Sequence, residues 1–304
     1  MPRSKRIVTW LGLFLQGYAL YVGITRSLAW PSVWPRDGLI LFSWLLFAVG
    51  GLLVNAMLTS EFLRKTQMES DLSAAQRIQR TLQPQTAIAI RGYEIDTVYR
   101  PFRGVGGDYF DVVELPDNRT LFAMADVAGK GMPAALLAAN VQALVRTIPT
   151  VDSHPLTLAR QINQHLSRYT PDDRFVTAVF IVLSHETGEL TYVNAGHNAP
   201  MMSGTRSNGS TMSLDATGVP LGLFRDAEYE ARTTVLPRGG ALLLFTDGLP
   251  DSIRGESPEA LIRAAVAAGS MTRIADLTAI VDRQLQQDDI TIVLVKRSTA
   301  SVSG

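Results

Sequence analysis

Residues 104–135 read GVGGDYFDVVELPDNRTLFAMADVAGKGMPAA. Two β-type runs, Tyr109–Glu114 and Thr120–Ala125, flank the turn signal Pro116-Asp117-Asn118, and this pattern predicts a β-hairpin. Position 117 is the midpoint between Asp108 and Asp126, so a hairpin folded there sets the two carboxylates opposite one another at its open end. Directly opposed residues of an antiparallel pair have Cα atoms roughly 4.5–5.5 Å apart. Two negative charges that close are unfavourable unless something positive lies between them. The stretch therefore asks for a cation.

Composition narrows what that cation is. The chain has 304 residues, with 28 Lys plus Arg balancing 28 Asp plus Glu, so it lacks the basic excess of a nucleic-acid-binding protein. It has no cysteine, which excludes disulfides, thiolate metal sites and every cysteine-nucleophile mechanism. The four histidines, His154, His165, His185 and His197, are scattered without ligand spacing, which argues against a histidine-based zinc site. Any bound metal would then have oxygen ligands, as magnesium, manganese and calcium do.

Upstream of the hairpin the chain changes character. Residues 1–6 are basic, and Ile7–Thr25 and Gly38–Thr59 are uncharged apolar runs. Each is close to the roughly 20 residues a helix needs to cross a bilayer. A buried helical hairpin in a soluble domain is the alternative; two uncharged runs of this length favour the membrane. The basic N-terminus predicts a cytoplasmic start, and two spans return the chain to the cytoplasm. The expected location is the inner (cytoplasmic) membrane, with everything after about residue 60 in the cytoplasm. Ser60–Gln83 has no glycine or proline and shows an approximate helical stripe of Phe62, Met68, Leu72, Ala75, Ile78 and Leu82. It reads as a helical linker, either a solvated spacer or a dimerising helix. The expected organisation is a transmembrane hairpin over 1–59, a linker over 60–87, a catalytic domain over 88–297 and a polar tail over 298–304.

Downstream, the pattern predicts strands at Tyr93–Arg100, Phe175–Leu183, Leu190–Asn194, Tyr229–Val235, Ala241–Thr246 and Ile290–Val295. Helices are expected at Ala134–Ile148, Leu156–Arg168, Pro258–Ala268 and Ile274–Leu285, and a surface loop at Ser203–Ser213. Further carboxylates fall at strand ends. Asp247 follows Ala241–Thr246, and Asp288 and Asp289 precede Ile290–Val295. If these strands are neighbours, Asp108, Asp126, Asp247, Asp288 and Asp289 meet at one sheet edge, an arrangement that holds one or two hard divalent cations. Singly, each is weak, since Asp247-Gly248 is first of all a turn signal. Gly129-Lys130-Gly131 lacks the spacing of a phosphate loop. His197 is as readily a backbone-bonded loop histidine as a general acid.

In order, AQRIQRTLQ (75–83), YRPFRGVGGDYFD (99–111), ADVAGKGMPAA (125–135), FVTA (175–178), NAGHNAP (194–200), GVPLGL (218–223), LLFTDG (243–248) and DDIT (288–291) resemble the SpoIIE-type branch of the PPM, or protein phosphatase 2C-like, family of metal-dependent serine/threonine phosphatases. The resemblance covers about residues 75–297. It implies an α/β fold, a four-layer α-β-β-α sandwich of two antiparallel sheets, and a centre of two Mn²⁺ or Mg²⁺ ions at one end. Carried over, Asp108, Asp126, Asp247 and Asp288 are the metal-binding and catalytic acids, with the Val127 carbonyl contributing and Asp289 as neighbour or substitute for Asp288. The implied reaction is hydrolysis of phosphoserine or phosphothreonine on an anti-anti-sigma (STAS)-type partner, with the linker helix forming a homodimer. A catalytically silent membrane-tethered scaffold is the alternative.

Overall fold

The computed structural model describes residues 10, 12–21, 24, 36–82, 90–102, 104–148, 154–171, 174–204, 211–253, 260, 262, 278, 281 and 284–299. The chain divides into two compact units, Met1–Ala74 and Ala75–Gly304.

In the first unit, residues 12–21 are helical, and α1 begins at Arg36 and runs to Leu82. The two helices approach at glycines. A Cβ built on Gly50 would lie 2.7 Å from the Gly12 carbonyl oxygen, so contact there is backbone to backbone. α1 continues without a break past position 59, where the sequence suggested that a span gives way to a linker. Among the described residues one helix is long and apolar enough to cross a membrane, with Trp44–Thr81 as the candidate span. The connection expected between two spans lies mostly outside the described residues.

The second unit is built on two five-stranded antiparallel sheets. One has the order β1-β10-β9-β6-β7, from Tyr93–Arg100, Ile290–Arg297, Ala241–Phe245, Met201–Met202 and Met212–Ser213. The other has the order β2-β3-β4-β5-β8, from Tyr109–Leu115, Arg119–Val127, Val176–Ser184, Glu189–Ala195 and Arg232–Val235. The β2–β3 register pairs Leu115 with Arg119 and Tyr109 with Ala125. The turn between them places both Asp117 (φ 61°) and Asn118 (φ 54°) in the left-handed region, which these two residue types tolerate best.

Period-two alternation sorts the strand residues between two cores. On β3, Phe122 and Met124 join Val179, Ile181, Leu242, Leu244, Val293 and Val295 between the sheets. Leu121, Ala123 and Ala125 of the same strand pack with α2 (Met132–Thr147) and α3 (Pro155–Tyr169). α2 buries Ala134, Ala138, Val141 and Val145, and α3 buries Leu158, Ile162 and Leu166, spaced i, i+4 and i+8 along one helix face. The outer face of the other sheet, with Leu243, Phe245, Ile292 and Leu294, packs against Leu249, Ile253 and Ile262. Leu249 belongs to the short helix α4, Gly248–Asp251. This is the expected mixed α/β sandwich of two antiparallel sheets. The helices expected over Pro258–Ala268 and Ile274–Leu285 fall mostly outside the described residues.

The strands on either side of Pro237–Gly240 do not pair with one another. β8 joins β5 in one sheet and β9 joins β10 in the other, so this turn is the crossover between layers. The loop expected over Ser203–Ser213 is bounded by β6 and β7, and its centre lies outside the described residues.

Candidate active site

Both sheets deliver acids to the same end of the sandwich. Asp108 immediately precedes β2, and Asp126 lies near the end of β3, opposite it in register. Asp247 follows β9 and takes the N-cap position of α4 without a side-chain capping bond, and Asp288-Asp289 immediately precede β10. The β9–β10 pairing sets Phe245 against Ile292 and so brings the second pair of acidic segments side by side.

Asp108 is 4% exposed. Its Oδ2 accepts from Thr291 Oγ1 at 2.6 Å and from Thr246 Oγ1 at 2.8 Å. Thr246 Oγ1 in turn accepts the Thr291 N–H at 3.0 Å. An acid that starts a strand of one sheet is thus held by two hydroxyls from the other. As β-branched residues in or beside strands, these threonines carry no separate local signal in the sequence.

Asp288 and Asp289 point to different tasks. Asp289 accepts from the Phe102 N–H and the Gly107 N–H, both at 2.8 Å, and so fastens the loop that leads into Asp108. Asp288 Oδ2 pairs with Lys130 Nζ at 2.6 Å, and its Oδ1 accepts the Asp289 N–H at 2.9 Å. The Val127 carbonyl oxygen lies against Gly107, 3.1 Å from where a Cβ would be. Arg103, considered as a phosphate contact, is outside the described residues.

The acids oppose one another's ionisation. Burial, then the Asp126 charge, holds Asp108 well above the usual carboxylate range, against the pull of its threonines. Burial and the charges of Asp247, Asp288 and Asp289 push Asp126 up to about 7. Asp247 is raised by burial and then by Asp288, with Lys130 among the groups pulling it down. Asp289 is raised by burial, while its two N–H donors act against the shift. Like-charged carboxylates in a partly dry site are the environment a divalent cation relieves. The donor set contains only oxygens, the choice of Mg²⁺ and Mn²⁺. Among the described residues no three of these groups already close around one point as a cation cage.

His197 is not placed to donate a proton to substrate. It is 5% exposed, its Nδ1 lies 3.0 Å from Thr177 Oγ1, and burial pushes the imidazole down to about 4. The His197 backbone N–H donates to Asn194 Oδ1 at 2.8 Å, while Asn194 Nδ2 donates to the His197 and Leu214 carbonyls. The NAGHNAP segment is therefore a knit loop beside β4.

Comparison with known proteins gives the family and the fold. The family model described as Stage II sporulation protein E (SpoIIE) matches residues 116–298. The chain belongs to this SpoIIE family. Asp126, Asp247, Asp288 and Asp289 fall inside the match, and Asp108 lies just before it. The phosphoserine phosphatase RsbU of Bacillus subtilis is 24% identical over 241 residues, covering 76% of this chain and 71% of RsbU. The phosphoserine phosphatase RsbP of the same organism is 26% identical over 191 residues, but these span only 47% of its length. Among solved structures, the SiaA-PP2C domain of Pseudomonas aeruginosa aligns with a TM-score of 0.62 at 23% identity, over 77% of this chain and 98% of that domain. RsbX, solved in complex with magnesium, aligns with a TM-score of 0.54 at 18% identity, over 70% of this chain and 99% of RsbX. These structural likenesses establish that the SpoIIE member described here has the PP2C-type fold.

Proposed function

We propose that this chain is a metal-dependent phosphoprotein phosphatase that hydrolyses phosphoserine or phosphothreonine. The observation that supports it best is the meeting of Asp108, Asp126, Asp247 and Asp288 from two sheets, with Asp126 pushed up to about 7 by its acidic neighbours. In this reading Asp108, Asp126, Asp247, Asp288 and the Val127 carbonyl hold two Mn²⁺ or Mg²⁺ ions. Bound there, hard divalent cations supply an activated water near neutral pH and neutralise charge on the phosphoryl oxygens. The chain's own part is placement. Thr246 and Thr291 fix Asp108, and Asp289 holds the Phe102 and Gly107 N–H groups, with Gly107 lying against the Val127 carbonyl. No side-chain nucleophile is needed, consistent with a chain that has no cysteine.

The substrate in this reading is a phosphorylated STAS-type protein, in keeping with the phosphoserine phosphatases RsbU and RsbP among the relatives. The apolar N-terminal runs, residues 7–25 and 38–59, anchor the chain in the cytoplasmic membrane, with the catalytic unit on the cytoplasmic side. The helix that ends at Leu82 pairs two copies. Multiple-turnover release of phosphate from a phosphoserine STAS-type protein tests the activity. Stable binding of that protein without turnover, with or without Mn²⁺, would favour the silent scaffold instead.

A further inference from the structure

Among the described residues, the acid cluster has one built-in cation whose position the proposed chemistry does not explain. Lys130 stands between Gly129 (φ 102°) and Gly131 (φ 78°), two left-handed positions that glycine adopts without strain. Its ammonium donates to the Gln287 carbonyl at 2.7 Å, pairs with Asp288 Oδ2 at 2.6 Å and lies 5.8 Å from the centre of the Phe102 ring. Asp288 Oδ1 is already engaged by the Asp289 N–H. Each oxygen of Asp288 therefore already accepts one donor, and on Oδ2 that donor carries a positive charge. Among the described residues, this is the ion pair made by a basic side chain to the five acids of the cluster.

We propose that Lys130 is a tethered counter-ion that occupies the cation-binding side of Asp288 and must leave it when a divalent metal loads. The inference rests on the metal-centre reading above. Its physical basis is competition. A carboxylate oxygen cannot hold an ammonium and a divalent cation side by side without strong repulsion between them. Lys130 thus keeps Asp288 paired before loading and weakens the last step of metal uptake. It remains at the mouth of the site, on a half-exposed side chain, once Asp288 is given to the metal.

Mn²⁺ binding to the full-length chain in detergent, followed by calorimetry, tests this without any activity measurement. Lys130→Met keeps the side-chain stem and removes the charge. It should tighten the weaker Mn²⁺ step by about three- to tenfold. Lys130→Arg keeps the charge and should show no such gain. In an Asp288→Asn background the gain from Lys130→Met should vanish, because the carboxylate it frees is gone. Unchanged or weaker Mn²⁺ binding by Lys130→Met would overturn the proposal, and weaker binding would show that Lys130 instead positions Asp288 for the metal. A gain that persists in Asp288→Asn would also overturn it, as a general field effect. Failure of the unaltered chain to bind Mn²⁺ at all would remove the metal-centre reading and this inference with it. Normal binding by the unaltered chain with no effect of Lys130→Met would remove the inference alone.

Discussion

Thr291 Oγ1 donates a 2.6 Å hydrogen bond to Asp108 Oδ2, and so joins the first residue before β2 of one sheet to β10 of the other. Hydrogen bonds to a buried carboxylate favour its charged form, so the hydroxyls of Thr291 and Thr246 keep Asp108 nearer to the state a cation requires. Thr291→Val keeps the shape and deletes the donor. It should weaken Mn²⁺ binding and phosphate release by about ten- to a hundredfold, corresponding to the roughly 1.5–3 kcal/mol of one hydrogen bond to a charged group. Titrating activity against Mn²⁺ should show the loss partly recovered at high metal. Full activity at low Mn²⁺ would show that the Thr291 hydroxyl plays no part.

Asp126 couples the site to pH. Its pKa is raised to about 7 in the folded chain, so between about pH 4 and 7 the metal-free folded state binds more protons than the unfolded one. This contribution to stability is fully present below the unfolded pKa and is lost as pH rises toward 7. Asp126→Asn should abolish that loss and raise the melting temperature in EDTA at pH 7.5. The unaltered chain should instead gain stability from Mn²⁺, about 2.7 kcal/mol at a hundred times the dissociation constant. Because the cation displaces a proton from this group, its apparent affinity should also fall as pH drops below about 7. Melting curves with and without Mn²⁺ across pH check all three.

His197 gives the opposite slope. Burial lowers its pKa to about 4, so the unfolded chain binds more protons between about pH 6.5 and 4. The stability this neutral histidine lends is complete above the unfolded value and is lost as pH falls toward 4, by on the order of 3 kcal/mol. His197→Gln should reduce the pH dependence of stability in that window. With Mn²⁺ saturating, its kcat at pH 7.5 should fall by less than about tenfold, because the imidazole is not offered to substrate.

A second buried acid holds α2 to the hairpin. Asp111 is 1% exposed and receives Arg146 Nε at 2.6 Å, Tyr109 Oη at 3.0 Å and the Val112 N–H at 2.9 Å. Arg146→Ala would leave the carboxylate with two donors and no cation. The expected cost is about 1–3 kcal/mol, less than for a fully buried pair because Arg146 is itself half exposed. Chemical denaturation in EDTA, where metal makes no contribution, measures it.

The hairpin was legible in the sequence because its signals are local. A turn at 116–118 and period-two runs on both sides fix the register that opposes Asp108 and Asp126, and the observed pairs Tyr109–Ala125 and Leu115–Arg119 share that midpoint. The buried face of α3 followed from its 3.6-residue period for the same reason. Sheet membership did not follow. β8 and β9 are separated by one turn, yet they lie in different sheets, because pairing depends on partners far away in sequence. Asp288 and Asp289 were inseparable in sequence for a similar reason. Their different surroundings come from Lys130, Phe102 and Gly107, distant residues that the fold brings to them. In the sequence, Lys130 stands only in a Gly-Lys-Gly segment without phosphate-loop spacing.

The metal dependence of turnover tests the central claim most directly. Phosphate release from a phosphoserine STAS-type protein should require Mn²⁺ or Mg²⁺, stop in EDTA, return on adding metal, and fall at least about a thousandfold in Asp126→Asn, as expected when a ligand that holds the water-activating metals is lost. Turnover that survives EDTA, or that Asp126→Asn leaves intact, would contradict the account.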